Sequence, residues 1–254
     1  LDGCTQSDVE RAKQNFLTYT DASLLEKTRF GEIYEPASDE ATIYVTGLKV
    51  ATEQDFLFSY NITNTTKTIR DALNRERSNV GRTAYTSRVK RILQACESSA
   101  VAQRLVDDLE RFTSGKTHDE LGWKAIQVHA VKVVNAKKDV VVATTDEQGQ
   151  NRDLLDHAQG DGYQVVTIPD NIKEEVESET DTKGNEIRSI DVYSSEYEQS
   201  FTFDWVTIDD MTEDEARVWG LREHLFDVVS CPNSYEIRVS EGLRATDDDR
   251  TMGI

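Results

Sequence analysis

The stretch from residue 139 to residue 168 constrains the fold more than any other part of the chain. It contains the apolar run DVVVATT from Asp139, a helical pattern over 150–159 and a second apolar run over 163–168. Short apolar runs of this kind predict strands buried on both faces. A strand, a helix and a strand within about 30 residues form a parallel pair with a right-handed crossover. The sequence therefore predicts a small α/β unit here.

The carboxyl end of the first strand of this unit is a candidate ligand site, at Thr144 and Thr145. No glycine-rich phosphate loop follows the strand, so the site is a minor candidate.

In residues 1–138, before this unit, the spacing of apolar residues predicts one helix, then a sheet, then four further helices. The first helix runs from Ser7 to about Tyr19. Strands are predicted over 30–34 and 41–51, with a bulge or turn at Thr46 and Gly47, and residues 56–62 predict another strand or a packed loop. The four helices are predicted over 66–77, 84–97, 99–112 and 119–134, and the last two have the character of a connector.

After residue 172 the chain becomes strongly charged, and its elements are harder to predict. The run EEVESETDTKGNE predicts an exposed segment. Strands are predicted over 187–193 and 201–206, paired with each other, and again over 235–240. A helix is predicted from Thr212 to about Val229. The cluster Asp247–Asp249 is interpreted as a frayed acidic end, with cation binding as the alternative.

The charge of the chain is uneven. Asp and Glu number 48 against 29 Lys and Arg, which gives a formal net charge of −19. A surface rich in carboxylates favours adaptation to high salt, and an ordinary acidic cytosolic protein is the alternative. Residues 67–91 reverse this sign, and such a positive field attracts phosphate or an acidic surface. The cations of this stretch are Lys67, Arg70, Arg75, Arg77, Arg82, Arg88, Lys90 and Arg91, and most are expected opposite the apolar helix positions.

A self-contained active site is not visible in the sequence. The four histidines are isolated, and the chain has no H-E-x-x-H, G-x-S-x-G, Walker A or G-x-G-x-x-G motif. Cys4, Cys96 and Cys231 lie far apart, which predicts neither a zinc site nor a disulfide framework and favours the reduced cytoplasm. The sequence contains neither a signal peptide nor a long apolar run, so no membrane partner is expected. The chain starts at Leu1 without a methionine, so we expect a piece of a longer protein.

Arg82 is the residue with the clearest chemical potential. It lies on a short loop beside a predicted helix start. A guanidinium group there could make paired hydrogen bonds to a terminal phosphate and stabilise the charge that develops during phosphoryl transfer. The alternative is a structural arginine that pairs with the abundant carboxylates, and position and charge alone do not separate these two hypotheses.

Two long runs resemble a known family. Residues 43–93 contain a strand beginning Tyr44-Val45 and, further on, the loop Asn79-Val80-Gly81-Arg82 before a basic and apolar helix. This order resembles the middle, or transducer, segment of ATPases of the gyrase, heat-shock protein 90, histidine kinase and MutL (GHKL) superfamily, with Gly81 in place of the serine of the family's Asn-x-Ser-Arg loop. Residues 139–172 are similar to the small α/β unit of the heat-shock chaperone middle domain. The signatures of the ATP-binding domain itself are absent from the sequence.

The resemblance implies a fold and a function. It implies an α/β (α+β) protein with a ribosomal protein S5 domain 2-like transducer over 1–98, a helical connector over 99–135, a small three-layer α/β unit over 136–172 and an acidic irregular segment over 173–254. It also implies that Arg82 contacts the γ-phosphate of ATP and Mg²⁺ held by an adjacent ATP-binding domain, in cis or in trans, with Arg77, Asn79 and Gly81 beside it. The chain would then be the coupling part of a chaperone-like ATPase that acts on a protein client. Its expected partners include a second copy of the chain in a homodimer, and the chain alone would not hydrolyse ATP.

Two other functions remain open from the sequence. One is a non-catalytic interaction or scaffold domain whose basic stretch docks an acidic partner or the chain's own acidic tail. The other is a nucleic-acid or polyanion module that uses the cations of residues 67–91 as a phosphate track. The acidic remainder of the chain and the scarcity of aromatic residues beside these cations argue against a nucleic-acid partner.

Overall fold

A five-stranded mixed sheet carries the N-terminal part of the computed structural model. Its strands lie in the order β1-β2-β5-β3-β4, and every neighbouring pair is antiparallel except β3 and β5. β5 is the central strand, and all four of its residues are buried. The strands are β1 (Leu24–Lys27), β2 (Glu32–Tyr34), β3 (Ala41–Val45), β4 (Leu48–Glu53) and β5 (Ser59–Ile62).

The chain forms two compact units, residues 1–190 and 191–254. The structure describes residues 3, 5–76, 80–112, 115, 117–199, 203–205, 209, 211–221, 236–240 and 251–253. Among these residues, no helix is both long enough and apolar enough to cross a bilayer.

The predicted turn at Thr46 and Gly47 is confirmed, and it divides the predicted strand over 41–51 into β3 and β4. Both turn residues have positive φ angles, 49° at Thr46 and 83° at Gly47. A two-residue loop with this backbone matches the right-handed twist of the strands that it joins. The N–H of Gly47 also donates to Oδ1 of Asn61 at 2.9 Å, which ties the turn to β5.

In the part of the chain that the structure describes, five α-helices accompany this sheet. The predicted first helix was too long, because α1 ends at Lys13 and only a 3-10 helix over Leu17–Tyr19 follows it. The residues of α1 bury no side chain, so no apolar face stabilises a longer helix. The other four helices were predicted correctly, with ends that differ by a few residues. The helices are α1 (Gln6–Lys13), α2 (Lys67–Glu76), α3 (Thr86–Gln94), α4 (Ser99–Leu109) and α5 (Lys124–Asn135).

A three-stranded parallel sheet follows α5 and confirms the predicted strand, helix and strand. Its order is β7-β6-β8, and all four residues of the central strand β6 are buried. Two helices rather than one cross from β6 to β7. The elements are β6 (Val140–Ala143), α6 (Thr145–Gln150), α7 (Arg152–Gly160), β7 (Gln164–Thr167), α8 (Asp170–Ser178) and β8 (Arg188–Ser189).

One hydrophobic core connects both sheets of the first unit. It contains Ile33 of β2, Leu105 of α4, Val131 of α5 and Val142 of β6. The two helices predicted as a connector therefore form part of the core, and α4 and α5 pack against each other. The predicted boundaries at residues 98, 135 and 172 all lie inside this first unit. The fold is mixed α/β.

Two predictions for the charged region need correction. The run EEVESETDTKGNE is mostly exposed, as expected, but its first five residues are not irregular, because they belong to α8. This helix buries Ile172 and Val176, which lie four residues apart on one helix face. The strand predicted over 187–193 is limited to the two residues of β8, and α9 (Ile190–Gln199) replaces the rest. Ile187, Ile190 and Tyr193 are buried at a spacing of three residues, which is a helical rather than a strand period.

The second unit contains a small three-stranded sheet in the order β11-β10-β9. β10 pairs with β9 rather than β9 with residues 187–193, which corrects the predicted hairpin. The predicted helix from Thr212 is described only as far as residue 221, and the cluster Asp247–Asp249 lies outside the described residues. The elements are β9 (Phe203–Trp205), α10 (Glu213–Gly220), β10 (Glu236–Ser240) and β11 (Thr251–Gly253).

Candidate functional site

Arg82 lies on a short loop that is fixed at both ends. On one side, Val80 is buried, and its N–H donates to the carbonyl oxygen of Val50 in β4 at 3.1 Å. On the other side, Tyr85 is buried at the start of α3. Arg82 itself begins a 3-10 helix, and the Thr86 hydroxyl donates to its carbonyl oxygen at 2.7 Å. The backbone is thereby held in place while the Arg82 side chain remains at the surface.

The Arg82 guanidinium contacts three side chains from other elements. It forms an ion pair with Asp119, and its Nε lies 3.6 Å from Oε1 of Glu53. Its central carbon lies 4.6 Å from the centre of the Phe56 ring. Burial would lower the pKa of Arg82, but the hydrogen bond to Asp119 and the charge of Glu53 raise it above its ordinary value. The carboxylate pairing considered from the sequence is thus present, although 43% of the side chain is still exposed.

Glu120, next to Asp119, is a completely buried carboxylate that sequence reasoning missed. Both of its oxygens lie 3.0 Å from the N–H of Leu57, and Oε1 also accepts from the N–H of Phe58 at 3.3 Å. The Tyr60 hydroxyl donates to the same oxygen at 2.9 Å. Burial raises the pKa of Glu120 to about 7, and these hydrogen bonds partly oppose the rise. A sequence pattern could not reveal it, because the nearest of these partners is 60 residues away.

Asp119 and Glu120 connect Arg82 to the helices. Both belong to a 3-10 helix over Asp119–Gly122 that leads directly into α5. The N–H of Asp119 also donates to the carbonyl oxygen of Asp55 at 2.8 Å. On the other side, the Tyr85 hydroxyl donates to the Glu53 carboxylate that faces Arg82. The position of Arg82 is therefore coupled to β4, to the start of α3 and to the start of α5.

The remaining predicted cofactor residues are placed only in part. Arg77 and Asn79 lie outside the described residues. Gly81 precedes Arg82 with φ −59°, and a Cβ added to it would meet no atom within 4 Å. Glycine is therefore not required at this position by the backbone or by packing. Of the four predicted residues, Arg82 alone has a described side chain that could contact a phosphate.

The other described cations of residues 67–91 do not form one solvated face. Lys67, Arg70 and Arg91 are exposed, as expected from the helical pattern. Arg88 is buried and is an exception to the expectation that most of these cations lie opposite the apolar positions. Lys90 lies over the ring of Trp123 at 4.8 Å. The cations of this stretch whose side chains are described therefore do not present a continuous phosphate track on one surface.

Other candidate positions have structural partners. Nε2 of His129 lies 2.7 Å from the carbonyl oxygen of Cys96, and Nδ1 of His118 lies 3.1 Å from Asp108. Thr144 caps α6 in a capping box with Glu147, and Lys173 contacts the same carboxylate. Throughout the part of the chain that the structure describes, no three His, Cys, Asp or Glu side chains are grouped so that they could hold a metal ion.

Comparison with known proteins relates the sheet and the Arg82 loop to a family from Mycoplasma. Residues 7–99 match the family described as the Mycoplasma pneumoniae MPN635 N-terminal domain. The chain is 31% identical over 157 residues to a protein of Mycoplasma pneumoniae described as uncharacterized, a match that covers 61% of this chain and 43% of that protein. A second uncharacterized protein of the same species is 34% identical over 92 residues, which cover 36% of this chain and 37% of that protein. The chain therefore spans less than half the length of the curated relatives that it matches.

Proposed function

We propose that this chain is the transducer part of an ATP-dependent protein of the GHKL superfamily, with Arg82 as the residue that senses the γ-phosphate. In this proposal the five-stranded sheet with α2 and α3 corresponds to the S5 domain 2-like fold. ATP and Mg²⁺ are held by an adjacent ATP-binding domain, and the chain converts the presence of the γ-phosphate into movement of its helices.

The observation that supports this proposal is the position of Arg82. Its guanidinium is partly exposed on a fixed loop and is held by carboxylates from two other elements. A phosphate group carries more charge than either carboxylate and offers oxygens that match a guanidinium. A phosphate brought by another domain could therefore replace Asp119 as the partner of Arg82.

Release of Asp119 would affect the helices directly. Asp119 is followed by the buried Glu120 and by α5, so its position and the start of that helix are linked. If a phosphate replaces Asp119 as the partner of Arg82, the charge next to the start of α5 changes. Local electrostatic changes of this kind can shift a protein between two conformations. The ion pair is then a switch contact rather than a purely structural one.

The test compares two variants that break the same ion pair in the protein that carries the ATP-binding domain. Arg82→Ala removes the phosphate contact, and we expect ATP turnover to fall about 10²- to 10³-fold with little change in ATP affinity, as for loss of one group that stabilises developing charge. Asp119→Asn removes the competing carboxylate and leaves Arg82 in place, so turnover should be retained or increased.

Arg104→Ala is the matched control, because Arg104 is 42% exposed and pairs with Glu35 on the surface. It should leave turnover unchanged. Equal losses of turnover in Arg82→Ala and Asp119→Asn would show that only the ion pair matters, and unchanged turnover in Arg82→Ala would overturn the proposal.

The second candidate is a non-catalytic interaction domain, and the carboxylate pairing of Arg82 is the observation that favours it. In that case Arg82, Glu53 and Asp119 only join the loop to the helices. Arg82→Ala and Asp119→Asn would then lower the melting temperature by similar amounts, and neither would change nucleotide turnover in the longer protein.

A further inference from the structure

Two arginines lie against the ring of Phe30, and a third is close to them on α3. Arg29 and Phe30 belong to the turn between β1 and β2, whereas Arg88 and Arg91 lie one turn apart on α3. The guanidinium carbon of Arg29 is 4.6 Å from the centre of the Phe30 ring, and that of Arg88 is 5.2 Å from it. The sheet and the helix thus bring positive charge to one place from two distant parts of the chain.

A cavity opens beside these residues. Its volume is about 370 Å³, and it is lined by Arg29, Phe30, Arg91, Gln94 and Ala95. Binding sites for small molecules commonly have volumes of roughly 300 to 1,000 Å³. The cavity is therefore large enough for a small ligand, and two of its five lining residues are cationic.

Arg88 is a buried cation. Only 6% of the residue is exposed, and its Nε has no hydrogen-bond partner. Burial lowers the pKa of Arg88 from its ordinary value, and the charge of Arg91 lowers it further. The Arg88 guanidinium contacts the Phe30 ring, but a buried charge without an ion-pair partner is costly, and buried arginines are normally paired with carboxylates.

No carboxylate of the described chain forms an ion pair with Arg29, Arg88 or Arg91. This is unexpected in a chain with 48 Asp and Glu residues. Elsewhere, Arg82 and Arg104 do have carboxylate partners. The C-terminus of α3 contributes only about half a negative charge, so it offsets a small part of three positive charges.

We propose that Arg29 and Arg91, which line the cavity, bind a small phosphate-bearing anion, and that Arg88, which lies against the Phe30 ring of the cavity wall, adds positive charge to this site. Guanidinium groups bind phosphate oxygens through paired hydrogen bonds, and a phosphate can supply the negative charge that the described carboxylates do not. The site is built from a cavity and a buried arginine rather than from an exposed track, which favours a compact anion over nucleic acid. This site is separate from the Arg82 contact and does not depend on the proposed function.

The experiment titrates the 254-residue chain with sodium pyrophosphate in a calorimeter, at an ionic strength held constant with sodium chloride. We expect saturable binding to the wild-type chain. Arg29→Gln and Arg91→Gln change exposed residues, so they should fold normally and weaken binding at least about 10-fold each, because one charge-assisted contact contributes about this much. Arg104→Gln is the control and should bind pyrophosphate like the wild-type chain.

Arg88→Met provides an independent readout. It removes the buried charge but keeps an unbranched apolar side chain, so the variant should bind pyrophosphate more weakly than the wild-type chain. Its melting temperature without pyrophosphate should equal or exceed that of the wild-type chain, because a buried charge without an ion-pair partner has been removed. Addition of pyrophosphate should raise the melting temperature of the wild-type chain more than that of Arg88→Met.

Three results would overturn the proposal. The first is the absence of pyrophosphate binding at matched ionic strength. The second is binding that survives both Arg91→Gln and Arg88→Met, which would place the anion elsewhere. The third is tighter binding of a short DNA duplex that Arg70→Gln weakens as much as Arg91→Gln does, which would indicate an exposed phosphate track instead.

Discussion

At the residue scale, Glu120 shows how one carboxylate can hold two parts of a fold together. Its oxygens accept hydrogen bonds from the backbone of Leu57 and Phe58 and from the Tyr60 hydroxyl. These donors precede or lie within β5, whereas Glu120 precedes α5. The interaction therefore fixes the start of a helix against the central strand. Its electrostatic environment also makes the stability of the fold dependent on pH.

We expect Glu120 to make the protein less stable as the pH rises from about 5 to about 8. The ordinary pKa of this carboxyl is 4.5, and burial raises it to about 7 in the folded chain. The folded state therefore holds a proton that the unfolded state releases, so the contribution is present below pH 4.5 and is lost as the pH rises through 7. Relative to Glu120→Gln, the free energy of unfolding of the wild-type chain should fall by about 2.5 kcal/mol between pH 5 and pH 8.

Urea denaturation of both chains at several pH values, at constant ionic strength, measures this difference. Glu97→Gln is the control, because it makes the same change at an exposed carboxyl, and this variant should keep the loss of stability that Glu120 causes as the pH rises. A difference between the wild-type chain and Glu120→Gln that stays constant from pH 5 to pH 8 would contradict a raised pKa.

At the element scale, the contact between the β1–β2 turn and α3 depends on Gly31. An ideal Cβ on this residue would lie 2.5 Å from the carbonyl oxygen of Asn61 and 2.6 Å from Cδ1 of Ile92. The carbonyl belongs to a central strand and cannot move without disturbing the sheet. Within the turn, the Thr28 hydroxyl donates to the carbonyl oxygen of Gly31 at 2.9 Å. The absence of a side chain at Gly31 thus lets Arg29 and Phe30 approach the helix.

Gly31→Ala should lower the free energy of unfolding by about 1 to 3 kcal/mol, the usual cost of adding a methyl group to a packed contact. The same variant should weaken pyrophosphate binding if the turn shifts away from α3. Gly149→Ala is the matched control, because a Cβ there would meet no atom within 4 Å and the residue lies in α6. This control should be neutral or more stable by up to about 1 kcal/mol. Equal stability of Gly31→Ala and the wild-type chain would show that the contact relaxes freely.

The elements with a clear apolar period could be predicted from the sequence, and those without one could not. The helical spacing of apolar residues was sufficient to predict four helices, and the short apolar runs were sufficient to predict two strands. These elements are α2, α3, α4, α5, β6 and β7. In α8 only Ile172 and Val176 mark the buried face, and the acidic residues around them concealed this pattern. β1 was missed because its residues are exposed or partly buried at an edge of the sheet, with no alternation strong enough to indicate a strand.

At the scale of the whole molecule, the sequence predicted separate domains within residues 1–190, whereas the structure packs these segments around one hydrophobic core. Predicted boundaries followed changes in composition, but the core of the first unit continues from Ile33 to Ile187. Long-range contacts of this kind leave no local signal. The same limit applies to the sites: Arg82 was recognised as a loop arginine, but its partner Asp119 lies 37 residues away. The pairing of Arg88 with the ring of Phe30 likewise joins two distant segments.

The continuity of this core predicts where the chain can be shortened. A chain of residues 1–190 keeps the whole first unit and should unfold in one cooperative transition. A chain of residues 1–172 ends at the boundary expected from the sequence but loses Val176, Ile187 and β8. The two side chains contribute about 1.5 to 3 kcal/mol each, and a typical domain is stable by only about 5 to 15 kcal/mol. Loss of β8 also exposes an edge of the apolar strand β6, which favours aggregation.

Thermal unfolding followed by circular dichroism should therefore show a lower midpoint or aggregation for the chain of residues 1–172 than for the chain of residues 1–190. Equal midpoints for the two chains would show that the core ends before α8.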